Sequence, residues 1–145
     1  MMNKLIAILI PGLTAGILLG SCKKEESTDV SGIPFVQVEV NINLNNPAYF
    51  DLSIPGGWIY YPAGSKGLII YRKNQTDFIA MDRHCPYRPQ DGCSVDVDQS
   101  AVFAEDDCCG SQFGINDGSI LQGPATQSLR IYNTTYDGVF LRVFN

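Results

Sequence analysis

The chain has 145 residues, 45% of them apolar and 17% charged, with five cysteines, one histidine and a formal net charge of −5. The length fits one domain, and an acidic balance without a basic patch or basic-aromatic stripe makes nucleic acid and anionic membrane surfaces poor partners. A single histidine excludes every site that needs two imidazoles from one chain, among them a two-histidine-one-carboxylate iron centre and a Cys2His2 zinc finger.

Met1-Met2-Asn3-Lys4 is a short positive start, followed by an apolar stretch over residues 5–19 that Pro11-Gly12 interrupts. This is the pattern of a secretory signal, and it is too short and too broken for a good membrane span. It ends in Leu19-Gly20-Ser21-Cys22, which resembles the lipobox of bacterial lipoproteins. That resemblance implies that residues 1–21 are a signal peptide and that Cys22 is the lipid anchor. It places the chain in the cell envelope, on an outer-membrane or periplasmic face. Residues 22–34 are polar and aperiodic, as expected of a flexible tether to a β domain over 35–145. An oxidising envelope permits disulfides among the other four cysteines.

Phe35-Val36-Gln37-Val38-Glu39-Val40-Asn41-Ile42-Asn43-Leu44 alternates apolar and polar residues and predicts a half-buried strand, which Asn45-Asn46-Pro47 stops. Trp58-Ile59-Tyr60-Tyr61 is a short aromatic strand between Pro55-Gly56-Gly57 and Pro62. Gly67-Leu68-Ile69-Ile70-Tyr71-Arg72 is a continuous apolar run, as in a central strand. It pairs back through Lys73-Asn74-Gln75-Thr76 with Asp77-Phe78-Ile79-Ala80-Met81-Asp82. Ala101-Val102-Phe103-Ala104 and Ser119-Ile120-Leu121 are further short strands. Leu129-Arg130-Ile131-Tyr132 and Val139-Phe140-Leu141-Arg142-Val143-Phe144 form a last hairpin around Tyr136-Asp137-Gly138. Short strands with frequent turns predict an all-β fold, a small antiparallel sandwich or barrel.

The chemically active residue types gather in two loops. One is Arg83-His84-Cys85-Pro86-Tyr87-Arg88-Pro89-Gln90-Asp91-Gly92-Cys93, and the other is Glu105-Asp106-Asp107-Cys108-Cys109-Gly110-Ser111-Gln112-Phe113. With Asp117-Gly118-Ser119, Gly123-Pro124-Ala125 and Leu129-Arg130-Ile131-Tyr132, they resemble the Rieske-type ferredoxin domain from about Trp58 to the C-terminus. The resemblance implies an all-β Rieske fold. It puts Cys85, Tyr87, Asp106 and Cys109 at the four positions that hold the 2Fe-2S cluster, with Cys85 and Asp106 on one iron and Tyr87 and Cys109 on the other. Ser111 is the serine that hydrogen-bonds the cluster in the family, and Gly123, Pro124 and Ala125 form the covering loop. Only one of the four ligand types is the family's own. A carboxylate and a phenol are harder donors than the thiolates and imidazoles that iron–sulfur clusters take.

The resemblance also implies a Cys93–Cys108 disulfide between the loops. That leaves Cys85 and Cys109 to face each other, and a second bridge is expected there. The expectation is therefore an envelope lipoprotein with a Rieske-like domain that has lost its cluster and serves as an interaction or structural module. Its partner would be an envelope protein, with a membrane link through Cys22 and no cofactor. The alternatives are an electron-transfer protein with a 2Fe-2S cluster on non-standard ligands, and a single metal ion or thiol pair built on Cys85, Cys108 and Cys109. His84 lies at neither histidine position, and its plain reading is a loop histidine. No nucleophile elbow or glycine-rich phosphate loop points to an enzyme.

Overall fold

A computed structural model describes residues 31–145. The expected signal peptide, Cys22 and most of the expected tether lie outside the described residues. Two antiparallel sheets make up the fold. The larger runs in the order β1 (Glu39–Asn43), β10 (Phe140–Phe144), β9 (Ile131–Tyr136), β4 (Phe78–Asp82), β3 (Leu68–Arg72) and β2 (Trp58–Tyr61). The smaller runs β5 (Asp96–Val97), β6 (Phe103–Glu105), β7 (Gln112–Gly114) and β8 (Ile120–Gln122). This is the all-β sandwich or barrel that the strand pattern predicts. No helix among the described residues is long and apolar enough to cross a membrane.

Strands β3 and β4 form a wall between two apolar cores. Leu68, Ile70, Phe78 and Ala80 pack in the first core with Val40, Ile42, Leu141 and Val143. Ile69, Ile79 and Met81 pack in the second with Phe113, Ile115, Leu129 and Cys85. A strand covered on both faces needs apolar residues at every position, which explains the unbroken run at Leu68-Ile69-Ile70. Strands β1 and β10 bury one face only, and their exposure alternates accordingly. Each fully buried aliphatic side chain contributes about 1.5–3 kcal/mol, so the second core is a firm floor for the loops above it.

The structure departs from the predicted elements in identifiable places. The strand expected from Phe35 starts at Glu39, because its partner β10 ends at Phe144. Beyond that point the Asn145 side chain takes over, accepting from the Val38 amide (3.0 Å) and donating to the Val36 carbonyl (2.9 Å). The strand read from Leu129 begins at Ile131, since Leu129 turns into the second core. Strands β5 and β7 were not expected, being too short to show a period. The folded body also reaches further back than residue 35. Ile33 is fully buried, and the Arg130 guanidinium donates to the Ile33 and Pro34 carbonyls, both at 2.7 Å.

Candidate functional site

The first loop leaves β4 at Asp82, which is fully buried. Its carboxylate accepts from the amides of Ser65 (2.7 Å), Lys66 (3.2 Å) and His84 (2.9 Å) and from the Tyr132 hydroxyl (2.8 Å). Four donors replace the water that a buried carboxylate gives up. Gly64 makes room for this arrangement: its φ is +73°, and a Cβ there would stand 2.6 Å from Asp82 Oδ2. His84 is buried as well. Its Nε2 donates to the Pro89 carbonyl (2.8 Å), and its Nδ1 lies 2.7 Å from Ser65 Oγ. Both ring nitrogens are thus committed to holding the loop, which is the plain reading of this histidine.

Burial, and then the hydrogen bond to Asp82, raise the Tyr132 phenol above its ordinary value of 10.0. The folded state therefore favours the neutral phenol. The stability this contributes is complete below pH 10 and is lost as the pH rises and the unfolded phenol ionises. Urea denaturation across pH 9 to 11 is expected to show a falling midpoint, and Tyr132→Phe is expected to flatten that fall.

The second loop joins β6 to β7 and carries Asp106, Cys108, Cys109 and Ser111. Cys93 and Cys108 form a disulfide with a Cα–Cα distance of 6.4 Å, as the resemblance implied. The second expected bridge is not formed: Cys85 and Cys109 are free thiols. The Asp106 carboxylate lies close to both sulfurs. Cys109 Sγ donates to Asp106 Oδ2 (3.2 Å) and also contacts Ser111 Oγ (3.1 Å). Cys85 is fully buried, and its thiol is pushed well above the usual range by burial and then by the Asp106 carboxylate. The carboxylate is the hydrogen-bonding partner of the Cys109 sulfur and lies within 4.8 Å of the Cys85 sulfur.

The structure brings together Cys85, Asp106 and Cys109, whose ligand atoms all lie within 4.8 Å of one another. Asp106 Oδ1 is fixed by the Cys108 amide (2.8 Å), which leaves Oδ2 toward Cys109. Ser111 is fully buried, and its Oγ accepts from the Ala125 amide (2.9 Å), which ties the stretch Gly123, Pro124 and Ala125 to the second loop. Tyr87 contributes its amide, 3.4 Å from Cys85 Sγ, while its ring packs on the second core with the Arg88 guanidinium 5.3 Å from its centroid. The predicted positions therefore divide into a tight thiol–carboxylate–thiol group and a separate aromatic.

These residues do not fit a 2Fe-2S cluster. Donors to different irons stand at opposite ends of such a cluster, with two metals and their bridging sulfides between them. The family positions would assign Cys85 and Cys109 to different irons, whereas here their sulfurs lie within 4.8 Å of each other and of the Asp106 carboxylate. The donor chemistry, two thiols with a carboxylate and a phenol, departs from the thiolate and imidazole set as well.

The fold is of the Rieske type, all-β with two loops at one end. It is similar to the cyanobacterial plasma membrane Rieske protein PetC3 from Synechocystis PCC 6803, with a TM-score of 0.57 and 21% identity, over 73% of this chain and 99% of that one. The ferredoxin of carbazole 1,9a-dioxygenase from Nocardioides aromaticivorans IC177 is also similar, at a TM-score of 0.48 and 15% identity over 76% of this chain and 98% of that one. No family model matches the chain, and no curated protein matches it.

Sequence reasoning missed Asp82, Gly64 and Ser65 as supports of the site. An aspartate at the end of an apolar strand carries no local mark of burial, because three of its four partners come from residues 65, 66 and 132.

Proposed function

We propose that this chain is an envelope lipoprotein whose Rieske-type domain works without a 2Fe-2S cluster, as a cross-linked structural and interaction module for another envelope protein. One observation carries this reading: Cys85 and Cys109, which would have to serve separate irons, converge with the Asp106 carboxylate to within 4.8 Å. The loops are instead fastened by the Cys93–Cys108 disulfide, by Asp82 and by His84. The lipid anchor rests on the Leu-Gly-Ser-Cys22 pattern, and the likeness to a plasma membrane Rieske protein agrees with a membrane-linked place.

The test is anaerobic incubation of the purified chain with ferrous iron and sulfide, followed by gel filtration and a visible spectrum. The expected spectrum lacks sulfide-to-iron charge-transfer bands. Stable bands of that kind would overturn the reading in favour of an electron carrier with non-standard ligands.

A further inference from the structure

Removing the cluster from consideration leaves the thiol–carboxylate–thiol group in need of its own explanation. Cys85 and Asp106 are buried and Cys109 is half-buried. They come from two different loops, yet their ligand atoms converge to within 4.8 Å. Two donors on one tetrahedral ion lie about 3.5–4 Å apart when metal–sulfur bonds are near 2.3 Å and metal–oxygen bonds near 2.0–2.2 Å. The spacing thus matches a single ion with only small closure. We propose that Cys85, Asp106 and Cys109 form a mononuclear site for one thiophilic divalent cation of the zinc class. The proposal rests on the cluster-free reading above.

Three features beyond proximity support it. The donor types are right, since zinc takes cysteine sulfur and aspartate oxygen in tetrahedral sites. The ligands are also held from behind, as metal ligands are when outer hydrogen bonds orient them. The Cys108 amide fixes Asp106 Oδ1, the Tyr87 amide points at Cys85 Sγ, and Ser111 Oγ stands 3.1 Å from Cys109 Sγ with its own position set by the Ala125 amide. Finally, the Cys93–Cys108 disulfide ties together the loops that carry the ligands. It also removes Cys93 and Cys108 from competition for the ion. Three protein donors leave a fourth tetrahedral position for water or an external donor.

The test uses the full chain carrying Cys22→Ser, with the Cys93–Cys108 bridge intact, so that Cys85 and Cys109 are its two thiols. Cobalt(II) is the probe and zinc(II) the competitor. The expected result is one cobalt per chain, with thiolate-to-cobalt charge-transfer absorption that one equivalent of zinc abolishes. Asp106→Asn is expected to weaken binding by about 10-fold or more, and Cys109→Ser to reduce the charge-transfer intensity. Asp107→Asn, at an exposed neighbour, is expected to change neither. If Cys109→Ser fails to fold, the stoichiometry and spectrum of the parent chain decide the matter. Two free thiols with no cobalt bound would overturn the proposal. So would a Cys85–Cys109 bridge in the purified chain, or cobalt binding indifferent to Asp106→Asn. Iron and sulfide together in the purified protein would instead overturn the cluster-free reading, so the two failures are distinguishable.

Discussion

Asp82→Ala is expected to cost on the order of 3–5 kcal/mol of stability. The carboxylate is fully buried and receives three amides and the Tyr132 hydroxyl. Removing it leaves four donors without this acceptor, and two of them, the His84 amide and the Tyr132 hydroxyl, are in buried bonds. Each buried unsatisfied donor costs about 1–3 kcal/mol before relaxation. The loss also reaches the site, because the His84 amide and Ser65 are the first anchors of the loop that carries Cys85. Asp82→Asn keeps one acceptor oxygen and is expected to lose less. Urea denaturation monitored by circular dichroism gives both values. A loss below about 1 kcal/mol for Asp82→Ala would show that the network is dispensable.

Removing the cross-link is the second large effect. Cys93 and Cys108 are separated by 15 residues, and closing a loop of that length stabilises a fold by about 3 kcal/mol through the entropy of the unfolded chain. Cys93→Ser and Cys108→Ser are each expected to lose about that much, and the double variant is expected to lose no more than either single one. Denaturation of the oxidised and reduced protein supplies the comparison. Equal midpoints with and without reductant would contradict it. Non-reducing peptide mapping is expected to recover Cys93 linked to Cys108, with Cys85 and Cys109 free.

The strands that make the wall of the fold were legible because burial on one or both faces writes itself directly into the residue pattern. The run at Leu68-Ile69-Ile70 and the alternation at Val38, Val40 and Ile42 are examples. Strands β5 and β7 were not legible, since two or three residues cannot show a period. The loop disulfide followed from the family frame, and the structure has it. The pairing of Cys85 with Cys109 did not hold. Which way Asp106 turns depends on the Cys108 amide and on the fold of the second loop, neither of which a sequence pattern displays. The sequence places Asp106 at an altered ligand position, but its closeness to both thiols emerges only in the fold. For the same reason Asp82 passed unnoticed: its four donors are distributed over residues 65 to 132 and meet only after the sheets assemble.

The proposed absence of a 2Fe-2S cluster from this Rieske-type fold is open to direct chemical analysis. Iron and acid-labile sulfide measured in the full chain, purified anaerobically from cells with an intact envelope export route, test it most directly. Neither is expected in stoichiometric amount. Iron and sulfide in equal amounts, each at two per chain as a 2Fe-2S cluster requires, would contradict it.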